Sequence, residues 1–373
     1  MRTFLELLAV ALILAGMASG QLKKAAAPKG APAANAAGPK WKAIWEPVPF
    51  NKDIELRAIS CVGPETCWVA GRNSTILFTS DGGKTWQAQL GGDPEAADED
   101  LAGIFFLESK HGWVMTERNR MMGTTDGSTW VELGKVPATS RGLWFLTPST
   151  GLVADRHDSQ SQTHLNRTED GGRSWTRASP CRVDAVVGGL SRKLGCMVRG
   201  IQFVTPSIGF MGGGAPVDMG TDVATFSRTA DGGATWTHSV IPDTRHAVDS
   251  IHFWSEKDGL ALLASGRTYW TADAGANWTG SVNSPAWRSF YASGEGKILV
   301  GVNENGRQIG YSFNGGRSFT SRPANLPALV RDVTFPDSSH GYLVGQHGMV
   351  YRYRIVPVDY TSQGMIGAGA PPR

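Results

Sequence analysis

Forty-seven glycines and thirteen tryptophans in 373 residues, with an eight-residue motif returning at a nearly constant interval, predict an all-β chain folded as a seven-bladed β-propeller. Glycine makes up about 13% of the chain, against a usual value of about 7%. That enrichment suits many short strands joined by tight turns. With 18% charged and 41% apolar residues, the composition disfavours both a helical bundle and a disordered chain. The 36 basic and 33 acidic residues leave a net charge of +3. No global field of the kind a nucleic-acid binder carries results, so any electrostatic function rests on local patterning.

Taken in order, residues 1–20 read as an export signal. Phe4 to Leu14 form a short apolar run after Arg2, and the small residues Ala18 and Gly20 precede a cleavage point before Gln21. No cysteine adjoins that point, so a lipid anchor of the bacterial lipoprotein type is not expected. No later stretch approaches the ~18 apolar residues of a membrane span. Residues 21–40, rich in Ala, Pro, Gly and Lys, form a flexible linker. The propeller occupies 41–358, and 359–373 is a disordered tail. Export fits the four cysteines. Of their three possible pairings, the positions favour Cys61–Cys67 and Cys181–Cys196, each closing a local loop. A metal site is not supported, since no CxxC occurs and no His lies within a few residues of a Cys.

The repeated motif reads TSDGGKTW at Thr79–Trp86, TEDGGRSW at Thr168–Trp175 and TADGGATW at Thr229–Trp236. Degenerate copies are TADAGANW at Thr271–Trp278 and SFNGGRSF at Ser312–Phe319, and TDGSTW at Thr125–Trp130 is a shortened one. The acidic position falls at Asp81, Asp126, Asp170, Asp231, Asp273 and, as an amide, Asn314, at spacings of 45, 44, 61, 42 and 41. A turn aspartate can accept bonds from backbone N–H groups just ahead of it, and the glycines supply positive φ. The terminal Trp or Phe is an apolar plug between neighbouring sheets.

Upstream of each motif stands a second pattern, an apolar strand, a turn, then Gly and another apolar strand. Examples are IFF at 104–106 before HGWV at 111–114, IQF at 201–203 before IGFM at 208–211, and VTF at 333–335 before HGYLV at 340–344. Counting these units starts blades near residues 56, 101, 141, 199, 249, 288 and 331, which makes seven. The last, ending GMVYRY at Gly348–Tyr353, lacks a motif. Residues Lys42–Pro47 are expected to supply its outer strand and close the ring.

These motifs are those of the Asp-box, or BNR-type, repeat. The stretch from Gly71 to Trp86 most resembles the photosystem II stability/assembly factor family, and the resemblance covers about residues 41–357. It implies an exported or thylakoid-lumenal seven-bladed propeller, without catalysis or cofactor, that binds a protein partner through an arginine-rich patch.

Aligning the seven innermost strands places Arg57, Ala102, Arg141, Arg199, Asp249, Arg288 and Arg331 in one ring position. Five of seven are Arg, although Lys and Arg together form about a tenth of the chain. Innermost strands line the axis and begin at one face, so these guanidiniums converge on one mouth of the channel. Hairpin tips on that face add Arg72, Arg118, Arg120, Arg156, Arg267 and Arg307. Guanidinium forks suit carboxylates, so the expected partner is an acidic segment or chain terminus of a membrane or exported protein, bound by a monomer. The competing role for each Arg is to close its own blade, onto turn carbonyls or an acid such as Asp249 or Asp332. The acidic run Asp93–Asp100 lies on the same face, either as a solvated loop or as a partial occupant of the mouth. Two insertions, Pro180–Cys196 and Gly212–Gly220, belong to that face too, and the Asp boxes to the opposite one.

Two other function classes compete. Asp boxes also occur in sialidases, and Tyr291 with Glu304 could stand as nucleophile and base. Seven blades and the absence of an Arg-Ile-Pro signature, Arg57-Ala-Ile59 being the nearest match, argue against that chemistry. A glycan binder would use exposed aromatics such as Trp254, Trp270 and Trp287. His157 and His164 flank a polar loop and suggest no metal. The sequons at Asn73, Asn166 and Asn277 matter only in a host with a eukaryotic secretory route.

Overall fold

A computed structural model describes residues 41–48, 50–93, 95, 98–137, 141–154, 164–187, 189–218, 221–284, 289–292, 299–303, 305–337 and 339–357. The expected leader, linker and tail lie outside the described residues. Seven four-stranded antiparallel sheets make the blades. Blade 7 takes in the first strand of the described residues, β1 (Trp41–Pro47). Blade 1 holds β2 (Leu56–Cys61), β3 (Cys67–Gly71), β4 (Ile76–Thr79) and β5 (Gln87–Leu90). Blade 2 holds β6 (Leu101–Phe106), β7 (Gly112–Thr116), β8 (Arg120–Thr124) and β9 (Val131–Lys135). Blade 3 holds β10 (Arg141–Phe145), β11 (Gly151–Ala154), β12 (His164–Thr168) and β13 (Thr176–Pro180). A separate two-stranded hairpin, β14 (Arg182–Val187) and β15 (Leu190–Gly195), follows. Blade 4 holds β16 (Met197–Phe203), β17 (Gly209–Asp218), β18 (Thr221–Thr229) and β19 (Thr237–Val240). Blade 5 holds β20 (Val248–Phe253), β21 (Gly259–Leu263), β22 (Thr268–Thr271) and β23 (Thr279–Gly280). Blade 6 holds β24 (Ser289–Ala292), β25 (Leu299–Val302), β26 (Gln308–Ser312) and β27 (Thr320–Pro323). Blade 7 is completed by β28 (Val330–Thr334), β29 (His340–Gly345) and β30 (Val350–Pro357).

The innermost strands pack in sequence from β2 to β28, and β28 packs on β2, so the ring closes. The seam is held by β1, which pairs with β30 from Trp41↔Pro357 to Pro47↔Tyr351 as the sequence predicts. Glu46 of β1 receives Arg352 and Arg354 across that pair, at 3.0 and 2.7 Å. Tyr342 of blade 7 donates to the Pro64 carbonyl of blade 1 at 2.5 Å.

The two repeated motifs have distinct packing roles. Phe106 of β6 lies face to face with Trp68 of the preceding blade at 3.6 Å, and edge-on to its own blade's Trp130 at 5.8 Å. Phe145 repeats this between Trp113 and Trp175, and Phe253 between Phe210 and Trp278. The inter-blade stack is therefore made by the inner-strand Phe, and the box Trp caps its edge. In blade 7, which lacks a box, Trp45 of β1 meets Phe335 edge-on at 5.9 Å. In blades 2, 3, 4, 5 and 7 the Gly that opens the second strand makes room for that Phe: a Cβ at Gly112 would lie 2.5 Å from Phe106, and one at Gly209 2.4 Å from Phe203, whereas blade 6 sets Leu299 opposite Ala292. Blade 1 replaces the pair with Cys61 and Cys67, opposite one another in the same register and disulfide-bonded. Cys181 and Cys196 are bonded as well, closing the base of the β14–β15 hairpin.

Each box is wired as its residue types require. The Thr79 hydroxyl donates to Asp81 at 2.9 Å and accepts from the Gly83 N–H at 3.0 Å, while Asp81 accepts from the Thr85 N–H at 3.0 Å. The shortened copy begins one residue earlier than its sequence suggests, because Thr124 takes the part of Thr79. Asn314 reproduces the geometry with its amide, accepting from the Ser318 N–H and donating to the Ser318 hydroxyl.

Candidate functional site

The ring position is a β-bulge. Pairing of inner with second strand skips Arg57, Ala102, Arg199, Asp249 and Arg331 in their blades. An unpaired extra residue bends the strand and re-aims its side chain. This is why one position in each of these five blades leaves the alternation of its inner strand. Blade 3 differs from the alignment: its skipped residue is Gly142, and Arg141 pairs with Ala154. Arg141 thus holds the place of Leu56, Leu101 and Val330, because the bulge lies one residue further on. The side chain of Arg141 lies outside the described residues, as do Arg288, Arg156, His157, Trp287 and Glu304 and the side chains of His164 and Tyr291.

Arg57, Arg199 and Arg331 line one depression of about 870 Å³, with Ala102, Gly142, Glu55 and Glu117. Every one of the three guanidiniums has a carboxylate partner. Arg57 meets Asp100 at 3.0 Å, Glu55 at 3.6 Å and Glu117. Arg331 reaches Glu55 at 2.5 Å, and Arg199 reaches Asp249 at 3.3 Å. Arg72 meets Asp100 at 3.1 Å, and Arg120 meets Glu99 and Glu132. Burial opposes the charge on Glu99, but the Thr116 hydroxyl, the Arg120 guanidinium and the Arg118 N–H outweigh it and hold its carboxyl below the usual range.

The acidic run ends tied to this face. Asn73 N–H donates to Asp100 at 3.1 Å, Ser74 N–H to the Glu99 carbonyl at 2.8 Å, and Glu117 N–H to the Asp100 carbonyl at 2.9 Å. Glu99 and Asp100 therefore bridge the hairpin tips of blades 1 and 2, beside the blade whose ring residue is Ala102. The sequence reading missed Glu55 and Glu117, the acids that share Arg57. An acid two residues before a ring Arg was the available signal for the first.

Two further depressions continue from the mouth. Glu55 also borders one of about 330 Å³ with Arg72, Asn73, Gln346 and His347. Gln346 and His347 border the next, of about 510 Å³, with the exposed Arg307, Asn325 and Pro327 and the half-buried Leu326. Arg267 is also exposed, at the tip of blade 5. Of the aromatics proposed for glycan, Trp270 carries the Arg317 guanidinium over its ring at 4.5 Å, and Trp254 packs on the cluster of Leu260 and Leu262.

A family model described as Photosynthesis system II assembly factor YCF48 matches residues 37–279. The chloroplastic photosystem II stability/assembly factor HCF136 of Arabidopsis thaliana is 24% identical over 335 residues, covering 83% of this chain and 79% of the relative. Among solved structures, YCF48 bound to a D1 peptide gives a TM-score of 0.60 at 20% identity, over 84% of this chain and 96% of that one. A virginiamycin B lyase from Staphylococcus aureus gives 0.63 at 11% identity, over 85% and 100%. At such identities these structural likenesses establish the shared fold alone.

Proposed function

The chain belongs to the Photosynthesis system II assembly factor YCF48 family, and from that premise we propose that it is an exported, non-catalytic factor that binds an acidic segment of a membrane or exported protein at its channel mouth. In a photosynthetic host, that partner is a photosystem II protein. The observation that carries the reading is the convergence of Arg57, Arg199 and Arg331 on one depression of about 870 Å³. That the relative YCF48 is known bound to a D1 peptide supports a peptide segment as the ligand class. Binding proceeds by carboxylate exchange. Each guanidinium already holds an internal acid, so an incoming carboxylate replaces Glu55, Glu117 or Asp249 instead of filling an empty socket. Exchange keeps each guanidinium paired before and after binding, and Glu117, 53% exposed, is the acid that water can best receive when it is displaced. It also selects for bidentate, well-placed carboxylates over diffuse negative charge.

The test is crosslinked capture from the host's exported and membrane fractions. Wild type is compared with a variant carrying Arg57→Glu, Arg199→Glu and Arg331→Glu, after matching their melting temperatures. A protein held by wild type and lost by the variant supports the reading, with an expected loss of at least about tenfold. Equal capture assigns these arginines to blade closure, the role that the Arg199–Asp249 pair across blades 4 and 5 already suits.

A further inference from the structure

The β14–β15 hairpin belongs to no blade, and its tip has the wrong chemistry for a solvated loop. Its register runs without interruption from Arg182↔Gly195 to Val187↔Leu190. The base is fixed twice, by the Cys181–Cys196 disulfide and by the Cys196 N–H bond to the Cys181 carbonyl at 3.0 Å. One side is anchored: Val183 and Ala185 are buried, and Val183 joins both cysteines in the core cluster shared with Met211 and Ala215. The hairpin is therefore a rigid projection. At its end Val186 is 76% exposed and Leu190 62% exposed, among the most exposed large apolar side chains of the described residues. The turn residue Gly189 adopts φ +79°, and a Cβ there would meet nothing within 4 Å, so the tip stands in open space.

Behind the apolar tip sits a cationic collar. Arg182, Arg192 and Lys193 are exposed on the stem, against one acid, Asp184. Arg192 follows Leu190 by two residues, about 7 Å along a strand. That offset matches the depth, about 5–10 Å, to which interfacial apolar groups enter a bilayer while their cations stay among the headgroups. Two aliphatic side chains are too small a patch for a protein interface of the usual ~800 Å² per partner. They are sufficient for a shallow wedge assisted by charge. We infer that this hairpin is a membrane-contact element that inserts Val186 and Leu190 into a bilayer rich in anionic lipid, with Arg182, Arg192 and Lys193 on the headgroups. The connections from an outermost strand to the next inner strand lie on the mouth face, so the wedge leaves the propeller on the side that carries the arginines. Membrane contact is independent of the peptide-binding proposal and survives its failure.

The experiment is vesicle co-sedimentation of the chain from Gln21 onward, which retains every described strand. The vesicles are phosphatidylcholine alone, or phosphatidylcholine mixed with phosphatidylglycerol. Wild type is expected to sediment with the mixed vesicles. Val186→Asp with Leu190→Asp should weaken this at least about tenfold. Arg192→Ala with Lys193→Ala should weaken it roughly fivefold per cation, on the anionic vesicles alone. Leu190→Trp, which keeps an interfacial apolar group, should bind at least as well as wild type. Wild type remaining in the supernatant with both vesicles overturns the inference. So does equal sedimentation of the Asp double variant at an unchanged melting temperature. If that variant melts early, Val186→Ser with Leu190→Ser replaces it, judged by the same two outcomes.

Discussion

Asp332 stands beside the ring residue Arg331 and carries one of the bonds that join the last blade to the first. Its two carboxylate oxygens accept from the Ile59 N–H at 3.0 Å and the Val333 N–H at 2.8 Å. Burial pushes its pKa up to about 6, against which the two N–H bonds act. A raised carboxyl pKa means that the folded state holds the proton more tightly than the unfolded chain, whose value is 3.8. This group's contribution to stability is therefore greatest below about pH 4 and declines as pH rises to about 6. Asp332→Ala removes that decline but leaves two N–H groups without their acceptor. It should cost about 1–3 kcal/mol at pH 4 and less at pH 7, read from melting temperature against pH. An equal cost at both values would show that the carboxyl does not titrate in this range. Both Asp332 and Asp249 were legible as acids near the ring. That one would bind a neighbouring strand's amide and the other a neighbouring blade's guanidinium depends on side-chain direction after the bulge, which sequence spacing does not encode.

At the scale of the element, the fifth box shows what the glycines do. Gly275 has φ +83°, and a Cβ there would lie 2.1 Å from the Phe226 ring, so Gly is required by both backbone and packing. Its neighbour Ala274 occupies φ +61° where the regular boxes carry the first glycine. A left-handed conformation costs a non-glycine residue roughly 1–2 kcal/mol. Ala274→Gly is therefore expected to raise stability by up to about 1 kcal/mol, part of the gain being lost to the freer unfolded chain. Chemical denaturation measures it directly, and a lower midpoint would show that Ala274 is not strained. The same element scale contains the clearest gap in the sequence reading. The Phe–Gly pair six residues apart was visible as a pattern, but its meaning, a ring lying over a missing Cβ, required the register of the two strands. So did the equivalence of Cys61–Cys67 with that pair.

For the molecule as a whole, the boxes make the propeller acid-sensitive. Bonds from Thr85, first its backbone N–H and then its hydroxyl, lower Asp81 to about 2. The Thr235 hydroxyl and N–H do the same for Asp231, also to about 2. Asp126, Asp170 and Asp273 move in the same direction through equivalent bonds. A carboxyl depressed in the fold stabilises it above the unfolded value, and the contribution is lost as pH falls from about 4 toward 2. Apart from the Asp332 contribution, which rises as pH falls from about 6 to 4, melting temperature should hold from neutral pH to about 4 and then drop steeply. Asp81→Asn, which imitates the natural Asn314, should lower the plateau by a few degrees and make the drop shallower. An unchanged acid slope would mean that the boxes are not what titrates.

The architecture is readable in the chain before it folds: the all-β class, seven blades, six box turns, both disulfides and the strand that closes the ring. The class, turns, blade count and disulfides follow from local rules of turn chemistry, period and spacing, which act within some forty residues; the closing strand follows from the last unit's missing outer strand and pairs across the length of the chain. The tertiary structure alone decided the chemistry of the mouth. Arg57 meets Glu117 from the next blade, Arg331 meets Glu55 from the first, and the ring residue of blade 3 is Gly142 in place of Arg141. A bulge moves one residue out of the two-residue alternation, and ring closure then sets charges beside one another that are hundreds of residues apart in the chain. Which cations face which acids is fixed only when all seven inner strands are in place.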